Sequence, residues 1–210
     1  MKRLITGILL LVTVGHTFAQ RKATTDTLAS TSANGKEFMV SYYQQTFDAL
    51  KKSIDGLSAA QLQFKPAEDK WSISQCLDHI LLTEKALFDY AKQGMEKAAN
   101  PERKKDVKVK DEELIKGMND RTSKAKAPEN IVGKGTYTQP ATALADLQKS
   151  RETILAYLNQ FSVDDMRNRV NDSYFGPVDA YHGFLYIAAH TSRHTAQIEE
   201  VKADPNFPKP

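Results

Sequence analysis

What most constrains this chain is the spacing of its apolar residues. Four separated stretches repeat them at steps of three and four, and none alternates them at steps of two. A three-to-four repeat places side chains on one face of an α-helix, whereas a half-buried strand needs a period of two. The first stretch starts at Glu37 and carries Met39, Tyr43, Thr46, Leu50, Ile54 and Leu57, with Gly56 and Ser58 closing it. The second runs through Ile73, Leu77, Ile80, Leu81, Thr83, Leu87 and Phe88 to Gln93. Leu144, Leu147, Arg151, Ile154, Leu155 and Leu158 form the third. Phe184, Leu185, Ile187, Ala188, Ala189, Ile198 and Val201 form the fourth, which Asp204-Pro205 stops. Four amphipathic helices in a chain of 210 residues predict one all-α domain, a four-helix bundle spanning residues 37–203 with a tail at 204–210.

Polar residues mark the helix ends. Ser58 to Leu62 reads as a short capped turn closed by Pro66. Ser72 and Gln75 stand three apart at the second helix start, a capping box, and Trp71 can staple onto Cys76. Ser162 caps another short turn, and Asp179 caps the fourth helix. Between the second and third helices lies a long charged connection, residues 94–140, interrupted by Pro101, Pro128 and Pro140. One short helix, Asp111 to Arg121 with Asp111 as its cap, is expected within it. The basic run Arg103, Lys104, Lys105, Lys108 and Lys110 is balanced by acids nearby and reads as solvated surface. Residues 171–178 read as a loop turning at Gly176-Pro177.

The first 19 residues are of a different kind. Met1-Lys2-Arg3 is a basic start, Leu4 to Val14 an apolar run, and Thr17-Phe18-Ala19 places small residues where signal peptidase cleaves. That run is too short to span a bilayer, which takes about 20 residues. A cleaved export signal at 1–19 is therefore expected, followed by a polar, disordered leader at 20–36 and a periplasmic or secreted product. Lys and Arg total 29 against 26 Asp and Glu, a net charge of +3, too small and dispersed to argue for nucleic acid. One cysteine, Cys76, excludes an intrachain disulfide and any CxxC motif, and its apolar neighbours predict a buried, inert thiol.

The histidines carry the chemistry. His190 and His194 stand about 40° apart around a helix and about 6 Å apart along it, so both rings point the same way. His79, on the second helix, can face the same cavity of a bundle. Three neutral imidazoles with an open position make a catalytic-type zinc shell, which nickel or iron also accepts. Spacing alone leaves two readings open, metal ligands or hydrogen-bonded structural histidines. His182 lies eight residues before His190, about 80° off and about 12 Å away along the axis, too far to share an ion. It reads as a cap-proximal or surface histidine. Asp78 and Glu84 flank His79 but point to other sides of the helix, so no carboxylate is assigned as catalyst. Gln197, three residues past His194, can stand behind the ligands as a polar neighbour. Tyr42, Tyr43 and Tyr186 at helical spacing are expected in the core rather than lining a pocket.

The stretch Trp71-Ser72-Ile73-Ser74-Gln75-Cys76-Leu77-Asp78-His79-Ile80 resembles the W-S-(apolar)-x-x-x-(apolar)-x-H motif of DinB-like proteins. His190-Thr191-Ser192-Arg193-His194-Thr195-Ala196-Gln197-Ile198 resembles their closing H-x-x-(polar)-H-x-x-Q-(apolar) motif. Arg151 and the Leu57–Leu62 turn match the same pattern, and the resemblance covers residues 37–203. It implies a DinB/YfiT-like four-helix bundle with an unusual helix order. It also implies a divalent metal, commonly zinc or nickel, on His79, His190 and His194. Relatives of this kind include bacillithiol S-transferases, mycothiol-dependent isomerases and proteins called metal-dependent hydrolases, many of them homodimers. The implied function is an exported metal-dependent hydrolase or transferase acting on a small substrate. The alternative is a bundle that binds a metal or ligand without turnover. The export signal points away from thiol transfer, because low-molecular-weight thiols are mainly cytosolic.

Overall fold

The computed structural model describes residues 35–122, 126–173 and 176–209. The export signal, and the leader up to residue 34, lie outside the described residues. Among the described residues, seven α-helices follow in chain order: α1 (Lys36–Ile54), α2 (Ala59–Gln63), α3 (Ile73–Glu96), α4 (Asp111–Asn119), α5 (Pro140–Leu158), α6 (Val163–Arg167) and α7 (Ala180–Lys202). Short 3-10 turns occupy Pro101–Asp106 and Glu129–Ile131.

The caps form as the sequence predicts. Ser58, Ser72 and Ser162 each accept from the backbone three residues on, and Gln61, Gln75 and Asp165 each reach back to the cap, satisfying otherwise orphaned donors. Asp179 Oδ1 accepts from the His182 N–H at 2.8 Å and starts α7. α5 begins on a proline, whose missing N–H costs nothing in a first turn.

Two expectations are corrected. Asp111 is not a cap: Lys110 occupies that position, with its N–H bonded to Glu113, and Asp111 is the first helical residue, buried against α7. Residues 171–178 are not all loop either. Val170–Ser173 (β1) and Gly176–Asp179 (β2) pair antiparallel, Val170 opposite Asp179 and Ser173 opposite Gly176. Both strands are four residues long and Pro177 removes a ladder donor, so no alternation signal could build up.

The bundle is α1, α3, α5 and α7. α7 packs on α3 and α1, α5 packs on the same two from the other side, and α4 lies along α7. The interior has two apolar halves. One gathers Met39, Tyr43, Ile154, Leu158, Phe184 and Leu185; the other gathers Leu50, Ile54, Ile73, Ile80, Leu147 and Ile198. Each of the four helices passes from one half to the other at a buried polar residue. Arg151 Nε donates to Glu84 Oε2 at 3.1 Å, its Nη1 to the Tyr43 carbonyl (2.5 Å) and Thr46 Oγ1 (2.9 Å), and its Nη2 to Thr191 Oγ1 (2.8 Å). This belt touches all four helices in one plane of the core. Burial pushes the Glu84 carboxyl up, and the Arg151 charge offsets part of that rise.

Candidate metal centre

Two helices present the three histidines. On α7, His190 and His194 sit one turn apart with their Nε2 atoms 3.1 Å from each other. His79 comes from the second turn of α3, whose start is set by the Ser72/Gln75 capping box. The ring centroids are 4.4 Å apart for His190 and His194, 4.5 Å for His79 and His194, and 5.0 Å for His79 and His190. One ligand atom from each histidine lies within 4.8 Å of the others, and all three residues are buried. Among the described residues no carboxylate or thiol joins them.

The tautomers are set by what lies behind the rings. His79 Nδ1 is 2.6 Å from the Ile131 carbonyl oxygen. A carbonyl only accepts, so Nδ1 carries the proton and Nε2 keeps its lone pair. The Thr83 hydroxyl lies beside the same ring, 3.3 Å from Nδ1. His194 Nδ1 is 2.9 Å from Gln197 Oε1, and Arg121 donates to that same oxygen at 3.3 Å. The arginine fixes which end of the amide faces the histidine, so His194 also carries its proton on Nδ1. Gln197 thus stands where the sequence predicts.

Burial governs the charge state of all three rings. It pulls the His79 pKa below the usual imidazole range despite the Ile131 hydrogen bond. His190 is driven well below that range, chiefly by burial and then by the nearby His194 and His79. His194 is lowered to about 3 by burial, with His79 adding to the effect. All three are therefore neutral at neutral pH, the form that ligates.

Trp71 closes one side. Its indole meets His79 edge-on at 4.9 Å and stacks on His194 at 6.2 Å between centroids. The sequence assigns this tryptophan only a stapling role; in the structure it is a wall of the site. Tyr186 stacks on His190 at 6.5 Å. Tyr43 is core, as expected, its hydroxyl bonded to the Phe184 carbonyl at 2.8 Å. Cys76 is fully buried and its thiol is pushed up to about 12 by burial, so it is inert.

The two carboxylates near His79 turn away, as the sequence predicts. Asp78 binds a loop and Glu84 pairs with Arg151. His182 also stays out of the site, but it is not at the surface. It is buried, with Nε2 2.8 Å from Asp111 Oδ1 and Nδ1 3.3 Å from Asp179 Oδ1. Arg167 binds the same two carboxylates, at 2.6 and 2.9 Å. The Ile131 carbonyl and Arg121 are the contributions the sequence does not reveal. The first is a backbone atom 52 residues from its histidine, and the second comes from the charged connection.

Comparison with known proteins places this geometry in a lineage. The sequence profile of the DinB superfamily matches residues 42–198, which include every residue of the site. The chain belongs to the DinB superfamily. Among similar proteins, the uncharacterized protein YuaE of Bacillus subtilis (strain 168) is 28% identical over 160 residues, covering 75% of this chain and 91% of that one. The fold is shared with the solved structure of YfiT from Bacillus subtilis, at a TM-score of 0.56 and 15% identity, covering 83% of this chain and 89% of that one. YfiT is described as a probable metal-dependent hydrolase with an unusual four-helix bundle topology.

The donor set fits a divalent ion. Tetrahedral zinc, with bonds to imidazole of about 2.0–2.1 Å, holds its nitrogens about 3.3 Å apart. The 3.1 Å separation of the His190 and His194 Nε2 atoms is close to that spacing. Two lone pairs at this distance also repel unless a proton or a cation lies between them.

Proposed function

We propose that this DinB-superfamily protein is a metal-dependent hydrolase or transferase of small molecules, with His79, His190 and His194 holding one divalent ion, zinc or nickel by preference. The observation that carries the proposal is the convergence of three buried, neutral imidazoles on one point. The description of YfiT supports it. When bound, such an ion would supply Lewis-acid chemistry, polarising a carbonyl or phosphoryl oxygen and acidifying a water. The protein's own part is arrangement. Ile131 and Gln197 keep two Nδ1 atoms protonated, so that both Nε2 atoms are available. Trp71 and Tyr186 cover the rings and limit water on two sides. We also propose export, with residues 1–19 removed and Gln20 as the first mature residue, and a homodimeric assembly.

The test starts from mature protein purified without a histidine tag, stripped of metal and reloaded with zinc, nickel, cobalt or manganese. Wild type should take up one equivalent. Turnover of an ester, amide or thiol-conjugation substrate that is lost on chelation and restored by one ion supports an enzyme. One observation favours the second reading, a binding module without turnover: Asp78 and Glu84 are both committed elsewhere, leaving neither to move a proton at the site. Uptake of metal without turnover on those panels selects that reading. Failure to bind any of the four ions overturns both.

A further inference from the structure

The loop before α5 is fastened to the first two turns of α3, and the fastening centres on Asp78, the residue before His79. Asp78 Oδ2 accepts three backbone N–H groups, from Lys134 at 2.9 Å, Gly135 at 2.6 Å and Thr136 at 3.0 Å. Its Oδ1 accepts the Thr136 hydroxyl at 2.6 Å. Neighbouring side chains add to the grip. Gln75 Nε2 donates to the Gly133 carbonyl at 3.3 Å, and Ser74 Oγ donates to the Tyr137 carbonyl at 2.6 Å. Gly133 lies so close to α3 that a Cβ there would stand 1.9 Å from the Gln75 carbonyl oxygen. Gly135 has φ +79°, a conformation that favours glycine.

Two residues before Gly133, Ile131 sets its carbonyl on His79 Nδ1. The path of contacts therefore leaves α3 at Asp78, runs back along the loop through residues 136–133, and returns to α3 at His79. A carboxylate that takes four hydrogen bonds is a strong, charge-assisted anchor. Without the Ile131 acceptor, the His79 proton would divide between the two ring nitrogens, and the Nε2–H form cannot ligate through Nε2.

We propose that Asp78 is a positioning residue: by gripping the amides of 134–136 it holds the Ile131 carbonyl on His79 Nδ1 and keeps the His79 Nε2 lone pair available. As a statement about metal affinity this rests on the three-histidine reading; as a statement about the His79 tautomer it does not. Folding of α3 does not require Asp78, since that helix is capped by Ser72 and Gln75.

The experiment is nitrogen-15 NMR of the histidine side chains in the metal-free full chain, with His79 assigned by His79→Gln. It is paired with zinc titration of the same samples. The variants are Asp78→Ala, Asp78→Asn and Gly133→Ala; the last pushes the loop off α3 without touching Asp78. Ser162→Ala, which removes a remote helix cap, is the control for simple destabilisation. Wild type and the control should show one His79 tautomer, Nδ1–H. Asp78→Ala and Gly133→Ala should show a mixture, with zinc affinity about 10–100-fold weaker, and Asp78→Asn should lie between. Should Asp78→Ala not fold, Asp78→Asn and Gly133→Ala carry the test. A single Nδ1–H tautomer in Gly133→Ala and in both Asp78 variants overturns the proposal. A wild type that binds no zinc overturns the metal reading, while the tautomer result alone still decides the role of Asp78.

Discussion

Along α7, two groups of buried histidines lie little more than two turns apart and have opposite surroundings. His182 sits among two carboxylates and a guanidinium: its Nε2 lies 2.8 Å from Asp111, its Nδ1 lies 3.3 Å from Asp179, and Arg167 pairs with both carboxylates. His190 and His194 sit among imidazoles, an indole and a phenol, with no carboxylate among the described residues that join them. The first group fastens α4 to the base of α7. The second brings three imidazole nitrogens to one point, where a proton or a cation must lie between the lone pairs. Burial is common to both groups and therefore decides nothing; the sign of what surrounds each ring does.

The largest effect should come from breaking the first group. Asp111→Ala strips Arg167 and His182 of a buried partner and should cost about 3–5 kcal/mol of stability in denaturant unfolding, while zinc stoichiometry stays at the wild-type value. The converse variant, His194→Ala, should lose metal binding. It should also lose the stabilisation by mass action that wild type gains from the ion, about 4 kcal/mol at a thousandfold excess over Kd, read as the difference in unfolding with and without zinc. If Asp111→Ala loses the metal, or His194→Ala retains it, the two groups are not separate.

A smaller change sharpens the contrast. Gln197→Leu removes the acceptor behind His194 and should weaken zinc binding about 10–100-fold by competition titration, without altering metal-free stability by more than a fraction of that of Asp111→Ala. The most gradual effect is on pH. The imidazole pKa values are depressed in the folded chain, so between about 6.5 and about 3 the unfolded state binds the extra protons. Metal-free stability should then fall as pH drops through that window, by about 1.4 kcal/mol per pH unit for each imidazole that titrates. Asp111 behaves differently. Burial opposes its ionisation, but hydrogen bonds from His182 and Arg167 outweigh this and hold its carboxyl below the usual range. Its contribution is present above about pH 4 and lost below it. A triple alanine variant at residues 79, 190 and 194 should remove the first decline and leave the second.

The sequence announces the parts of both groups unevenly. Helix caps and the core were legible because they depend on local spacing: Ser72 with Gln75, or Met39 with Tyr43 one turn on. The histidine trio was legible because α7 carries two of its members one turn apart and His79 lies beside a strong helix start. The resemblance to DinB-like proteins joined them. Asp111 is misplaced by the sequence because an acidic residue at a helix start satisfies a capping pattern equally well as a buried ion-pair partner, and its partners Arg167 and His182 are 56 and 71 residues away. The role of Asp78 was hidden for a related reason. Its partners are backbone amides, which every residue possesses, so no residue type marks them.

The belt formed by Arg151, Glu84, Thr46 and Thr191 has a consequence for how the helices are registered. Apolar ridges alone tolerate sliding, because one leucine packs much like another a turn away. Arg151 reaches α1, α3 and α7 from α5, so a slip of one turn on any helix, about 5.4 Å, would strand a charge or a hydroxyl in hydrocarbon. Stranding the ion pair costs about 3–5 kcal/mol. The belt therefore works as an alignment pin. It fixes α3 against α7 along their length, and with them the height at which the ring of His79 meets those of His190 and His194.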